Sequence, residues 1–183
     1  VAEARSTDVF LSHGASGSAA TMLPWVDALG RNGIRAATVP AAGKLPMKVE
    51  KAVIVYRETI AGQPGAIIGG VSYGGRVASM LAADGDEIGG LVLLSYPLHP
   101  PGKPDQQRLE HLARIRVPVL FLSGESDPFA RMDLLRAAVA TVPGAELATF
   151  PGVGHGLARD PVVMAECVDR LAAFARRVLG VKP

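Results

Sequence analysis

Short apolar runs alternate with longer amphipathic stretches along this 183-residue chain, and that rhythm constrains the fold more than any single motif. A strand covered on both faces reads as a continuous apolar run, and a crossover helix reads as an apolar stripe at three- and four-residue spacing. Val9-Phe10-Leu11 reads as a strand ending at His13-Gly14, followed by a helix from about Thr21 to Arg31 that Asn32-Gly33 ends. Ile34 to Val39 reads as a second strand. Met47 to Ile60 reads as a helix with Val49, Ala52, Val53, Tyr56 and Ile60 on one face, broken by Gly62 and Pro64. Ala66 to Gly70 is a third strand, and Tyr73 to Ala83 a helix closed by Gly85. Leu91 to Leu94 and Val119 to Leu122 have the unbroken apolarity of buried strands. Met132 to Val142 reads as a helix stopped by Pro143-Gly144, and Glu146 to Phe150 as the last strand. Pro161 stands at a first helical position after Asp160 and opens a helix to about Leu179, with Met164, Cys167, Val168, Leu171, Phe174 and Val178 as its stripe.

Regular alternation of strand and helix predicts an α/β fold: a mostly parallel sheet of about six strands with helices on both faces. No repeat, linker or change of composition divides the chain, so residues 1–183 are expected to form a single domain. Its least regular stretch, Tyr96 to Gln107, is rich in Pro and Gly. It follows the C-terminal end of a strand, where open α/β sheets bind ligands, so it is expected to wall the site.

Composition narrows the function classes. A hydrophobic fraction of 49% and a charged fraction of 20% belong to a packed globular protein. The net charge is +2 and no dense basic stretch is present, which argues against nucleic-acid binding. A single cysteine, Cys167, excludes an intrachain disulfide and hence a disulfide-stapled scaffold. No apolar run reaches the roughly 18 residues that suggest a membrane span, and Val1 to Asp8 lacks the apolar region of a signal peptide. The expectation is a cytoplasmic protein without membrane association, with unpaired edge strands that leave a homodimer open.

Gly70-Val71-Ser72-Tyr73-Gly74 has the form G-x-S-x-G and sits between an apolar strand and a helix with small residues at its start. That is the context of a nucleophile elbow, a turn so tight that its neighbours must be small. Taken alone, a glycine-rich turn of this kind could hold a phosphate. The chain, however, has neither the Lys-Ser/Thr ending of a P-loop nor a G-x-G-x-x-G. A serine hydroxyl needs a neighbouring base. Of His13, His99, His111 and His155, the last lies between Gly154 and Gly156 directly after the last strand, placed to approach another backbone closely. The acid is expected between them, at Asp127 in Ser123-Gly124-Glu125-Ser126-Asp127-Pro128-Phe129. There Asp-Pro would otherwise read as a plain turn, and Glu125 competes for the role. Ser72 and Asp127 are 55 residues apart and Asp127 and His155 are 28 apart. Each gap holds a whole number of strand-helix units, so all three residues emerge at one edge of the sheet.

An oxyanion hole needs two backbone N–H groups. The first is expected from Tyr73 and the second from His13-Gly14-Ala15-Ser16-Gly17, with Ala15 preferred and Gly14 the alternative. Tyr96 and His99 of the Pro-rich segment are candidate substrate contacts. Lys44, Lys103 and Arg108 fall in loops and read most simply as solvated charge. Cys167, Met22 and Trp25 read as core residues, and His111 as half-buried. No His, Cys and carboxylate cluster has metal-ligand spacing, so neither a metal nor any other cofactor is expected.

At these residues the chain resembles the α/β-hydrolase superfamily. More narrowly, it is similar to the small dienelactone-hydrolase-like members related to testis-expressed hydrolase-like proteins, a group that includes the hydrolase-like domain of a non-specific-lethal complex subunit. The segments that carry the likeness are His13 to Gly17, Gly70 to Arg76, the stretch from Ser95 through Pro97-Leu98-His99-Pro100 to Pro104, and Leu122 to Phe129. The resemblance implies a minimal hydrolase core without a cap domain and an open, shallow site. It also implies Ser72 as nucleophile, Asp127 as acid and His155 as base. Dienelactone hydrolases proper carry a cysteine nucleophile, where this chain has Ser72. Two functions follow: a serine hydrolase of the carboxylesterase type acting on a small-molecule ester or thioester, or the same fold kept as a catalytically silent binding or scaffold module.

Overall fold

The computed structural model describes residues 7–40 and 48–180. Six strands form one sheet: β1 (Val9–Ser12), β2 (Ala36–Thr38), β3 (Ile67–Val71), β4 (Gly90–Leu94), β5 (Val119–Gly124) and β6 (Glu146–Phe150). Their order is β2-β1-β3-β4-β5-β6, and every neighbouring pair is parallel. The expected class and strand number hold, and β2 and β6 are the two edges.

Successive side chains of a strand point to opposite faces, and the two cores follow that alternation. Ile68, Leu91, Leu93, Val119 and Phe121 meet α2 (Val49–Thr59), α3 (Tyr73–Asp84) and α4 (Met132–Ala140) on one face. Ile67, Val92, Leu94, Leu120 and Leu122 meet α1 (Leu23–Arg31) and α5 (Pro161–Leu179) on the other. Both faces being covered, β4 is buried throughout, as its unbroken apolar sequence requires. Cys167 belongs to the second core, where burial pushes its thiol up to about 12.

Local chemistry sets the element ends. The Asp160 carboxylate accepts from the Val162 and Val163 amides at 2.8 and 3.3 Å, with Pro161 opening α5, and Gly180 closes that helix at φ 66°. Gly85 closes α3 at φ 87°. The strand expected over Ile34 to Val39 shortens to Ala36–Thr38, because β1 offers it three paired positions and, among the described residues, no strand pairs with its other edge. A 3-10 turn, Ala19–Met22, precedes α1 where Thr21 was expected to begin the helix; Pro24 then sits in the first turn of α1. The beginning expected at Met47 for the second helix, and Lys44, lie outside the described residues. Among the described residues no helix is long and apolar enough to cross a membrane.

The hydroxyl of Tyr56, carried by α2, is inserted between β1 and β3. It accepts from the Gly69 amide at 2.9 Å and lies 2.8 Å from the carbonyls of Phe10 and Gly69. Having one proton, it donates to one of those carbonyls or divides it between them. Burial raises this hydroxyl far above its ordinary pKa.

Candidate active site

The chain lays β2 on one side of β1 and then crosses to lay β3 on the other, so the strand order reverses between β1 and β3. Loops leaving the carboxyl ends of two such strands part in opposite directions and open a crevice. The loop after β1 is His13-Gly14-Ala15-Ser16-Gly17, and the turn after β3 is Ser72. Both motifs singled out in the sequence therefore meet at the crevice.

Ser72 is the N-cap of α3 and is held at φ 51°, ψ −113°, a costly conformation for a residue with a Cβ. Its amide donates to the Leu94 carbonyl at 2.8 Å, and its carbonyl accepts from the Arg76 amide at 3.0 Å. These bonds fix the turn from both sides. Gly74 is where the turn leaves no room: a Cβ there would lie 2.5 Å from the Ser12 carbonyl oxygen and 2.7 Å from that of His13. The loop after β1 lies against the turn in ordinary contact, since a Cβ on Gly14 would sit 3.7 Å from the Ser72 Cβ. His13 is buried, and its Nδ1 donates to the Gly14 carbonyl at 2.8 Å, which holds that loop.

Asp127 follows β5 and His155 follows β6. The His155 Nδ1 lies 2.7 Å from the Asp127 Oδ2, and its Nε2 lies 2.9 Å from the Ser72 Oγ. A nitrogen facing a carboxylate carries the proton, so in the neutral ring Nε2 is left as an acceptor aimed at the serine hydroxyl. The Asp127 side chain is fully buried and that of His155 is 27% exposed. The second carboxylate oxygen, Oδ1, accepts from the Phe129 amide at 2.8 Å, so both oxygens are occupied and the carboxylate cannot rotate freely. The Phe129 ring lies against the imidazole with centroids 4.4 Å apart. Glu125, the competitor for the acid position, is exposed and accepts from the Thr149 hydroxyl at 2.8 Å, away from the imidazole.

A pocket of about 350 Å³ opens beside this array. The buried Met22, Trp25, Leu94, Ser95 and Leu157 form its base, and Ser16, Ala158 and Arg159 line its exposed part, with His155 on one wall. Residues at the start of the first helix and in the 3-10 turn after the last strand supply its apolar lining, Met22, Trp25 and Leu157. Arg159 has no ion-pair partner among the described residues.

Two expected substrate contacts lie elsewhere. Tyr96 is 1% exposed; its ring packs edge-on against Phe121 and its hydroxyl donates to the Arg108 carbonyl at 3.2 Å. His99 is 3% exposed; its Nδ1 donates to the Pro100 carbonyl at 2.9 Å and its Nε2 accepts from the Arg131 amide at 3.2 Å. Neither lines the pocket. After β4 the chain turns down over the face of α3 and α4, so the Pro-rich segment plugs that face instead of walling the site. His111 is half-buried within the same plug, its Nε2 2.7 Å from the Ser79 Oγ. Ser95, Phe129 and Arg159 were given no role from the sequence. Ser95 could have been found from register, since it directly follows the buried strand paired with the one that Ser72 follows.

A family model described as an alpha/beta hydrolase domain matches residues 6–179. The chain belongs to the α/β-hydrolases. Among solved structures, this α/β-hydrolase is similar to a monoacylglycerol lipase from Paleococcus ferrophilus, at 18% identity over 93% of this chain and 94% of the other with a TM-score of 0.79. It is also similar to the esterase domain of a Rhodothermus marinus protein (14% identity, 96% and 89% covered, TM-score 0.75). A bromoperoxidase from Bacillus anthracis matches comparably (15%, 92% and 92%, TM-score 0.73). At these identities the likeness is one of fold, and the spread of named activities shows why the chemistry has to be argued from the site.

Proposed function

We propose that this α/β-hydrolase is a serine hydrolase of the carboxylesterase type, cleaving small carboxylic esters or thioesters through an acyl-enzyme at Ser72. The observation that carries the reading is the continuous path from the Ser72 hydroxyl through both nitrogens of His155 to the buried Asp127 carboxylate, in contacts of 2.9 and 2.7 Å. The Ser72 Oγ attacks the acyl carbonyl while its proton passes to the His155 Nε2. Asp127 holds the ring through Nδ1 and stabilises the imidazolium that forms. The negative charge on the tetrahedral carbonyl oxygen is met by the Tyr73 amide, at the N-terminus of α3, and by an amide of the loop after β1, that of Ala15 or Gly14. Collapse of the intermediate breaks the bond to the alcohol or thiol, which leaves with the proton from Nε2. Water then attacks the acyl-enzyme, gives its proton to Nε2 and releases the acid, restoring the Ser72 hydroxyl. No step calls for a metal or a redox cofactor.

The strain at Ser72 counts against a silent scaffold. A module free of catalytic demand has no physical use for a non-glycine residue at φ 51° beside a histidine and a buried carboxylate. The narrower likeness to the small dienelactone-hydrolase-like members is supported by His13 to Gly17, Gly70 to Arg76, Ser95 to Pro104 and Leu122 to Phe129, of which the Pro-rich stretch is the most specific. The test is hydrolysis of p-nitrophenyl acetate and butyrate by wild type, Ser72→Ala and His155→Ala. Wild-type turnover is expected to fall by about four or more orders of magnitude in both variants. Equal rates in all three proteins would refute the proposal.

A further inference from the structure

Ser95 is a feature of the pocket that the acyl-transfer chemistry leaves unused. It follows β4, whose last carbonyl, that of Leu94, accepts from the Ser72 amide; the Ser95 amide itself donates to the Leu122 carbonyl at 2.8 Å. Ser72 and Ser95 thus stand at the carboxyl ends of adjacent parallel strands, about 5 Å apart as paired strands are spaced. Among the described residues these two are the non-glycine positions at positive φ, 51° and 49°. The Ser95 residue is 1% exposed, its Oγ has no hydrogen-bond partner among the described residues, and it lines the pocket. A strained backbone and a buried unpaired hydroxyl are both destabilising. Their coincidence on one residue that lines the pocket, one strand from the nucleophile, is accounted for if the substrate supplies the missing partner.

We propose that the pocket takes the acyl group of the substrate and that the Ser95 hydroxyl hydrogen-bonds an oxygen, hydroxyl or keto, borne on the second or third carbon of that acyl chain. The inference rests on the acyl-enzyme reading above. The acyl group stays on Ser72 through both chemical steps while the alcohol departs, so the acyl group is the part that a walled pocket has to hold. Spacing selects the position of the oxygen. With the carbonyl carbon bonded to the Ser72 Oγ, a substituent on the second or third carbon falls within reach of a hydroxyl one strand away, and one at the far end of a longer chain passes it. A serine hydroxyl both donates and accepts, which suits either oxygen function. The apolar remainder of the chain would lie against Met22, Trp25 and Leu157.

The experiment compares p-nitrophenyl 3-hydroxybutyrate with p-nitrophenyl butyrate in wild type, Ser95→Ala and Ser95→Gly. Ser95→Gly removes the hydroxyl and also relieves the positive φ, so it keeps the test open if the alanine variant folds poorly. The ratio of kcat/KM for the hydroxylated over the plain ester is expected to be about tenfold higher in wild type than in either variant, the loss of one neutral hydrogen bond. An equal ratio in all three proteins overturns the proposal. So does a fall on both esters alike at unchanged melting temperature, which would make Ser95 a positioning residue for Ser72. A second pair, butyrate esters of a hydroxylated and a plain alcohol, checks the half of the substrate concerned; dependence on Ser95 in that pair alone overturns the acyl assignment. Failure of the hydrolase reading is recognised separately, as wild-type rates on every ester no higher than those of Ser72→Ala.

Discussion

Gly124 ends β5, three residues before Asp127, and is packed against the loop that carries His155. A Cβ built on it would lie 2.2 Å from the Val153 carbonyl oxygen and 2.4 Å from that of Gly154. Ordinary contact begins at 3.4 Å, so in Gly124→Ala one of the two segments has to retreat by about 1 Å. Neither can do so at no cost, because the Ser126 amide donates to the Val153 carbonyl at 2.9 Å and the Glu125 amide to the Phe150 carbonyl at 3.0 Å. Overpacking of this kind costs about 1–3 kcal/mol, a fall in Tm of roughly 2–12 °C for a domain of this size. The retreat also separates the imidazole from its carboxylate. A misplacement of about 1 Å costs about 100-fold in rate, near 2.7 kcal/mol of transition-state stabilisation. The matched control is Gly154→Ala, one residue from His155. A Cβ there meets only the Ser126 carbonyl oxygen, at 3.9 Å, and its kcat is expected to stay within about threefold of wild type. The assay is kcat on p-nitrophenyl acetate, with thermal unfolding of the same three proteins. Equal impairment of the two variants would refute the reasoning, since loop freedom and not close approach would then be what matters. So would wild-type kcat in Gly124→Ala.

Two further predictions concern stability. Tyr56→Phe deletes the hydroxyl between β1 and β3 and leaves the buried Gly69 amide without that partner. Destabilisation of about 1–3 kcal/mol is expected in chemical denaturation, and a change under about 0.5 kcal/mol would show that the strands close over the gap. His111 is held below its ordinary pKa of 6.5, first by burial and then by the guanidinium groups of Arg76 and Arg114, against the smaller opposing pull of Glu110 and Asp84. The folded state therefore takes up the proton less readily than the unfolded chain. Stability from this group is complete above pH 6.5 and is lost as pH falls from there through the folded pKa. Wild type should lose more Tm than His111→Gln between pH 8 and pH 5.5, and parallel losses would contradict the assignment.

The sequence made the fold legible wherever the local and global signals coincide. β6 and α5 end where the sequence places them: Pro143-Gly144 lies before β6, and Asp160, Pro161 and Gly180 punctuate α5 chemically. β2 was drawn too long because Ile34 and Val39 are buried as loop residues by packing, which apolarity alone cannot tell from a strand. The grouping of Ser72, Asp127 and His155 was legible because chain order and strand ends bring those positions to one edge of a parallel sheet. What escaped depends on the direction of the chain after a strand. Tyr96 and His99 follow β4 just as Ser72 follows β3, yet they turn into the α3 and α4 face while Ser95, one residue earlier, remains at the pocket. Close approach, expected of Gly154 and Gly156 around the histidine, is made most tightly in that region by Gly124 on the acid strand.

The same geometry explains how a small domain holds two strained serines side by side. β3 and β4 are the central pair of the sheet, and all of β4 is buried. Each serine is anchored by a backbone bond to the next strand, Ser72 to Leu94 and Ser95 to Leu122. A conformation that would relax in a loop is thus over-determined by three strands and two cores. Relaxing Ser72 would require the Leu94 carbonyl to give up its bond, and that carbonyl belongs to the residue that positions Ser95. The two positions are therefore expected to respond together: a change that lets β4 move relative to β3 should reach the nucleophile and the buried hydroxyl of the pocket in one step, whereas a change confined to the Pro-rich plug on the far face should reach neither.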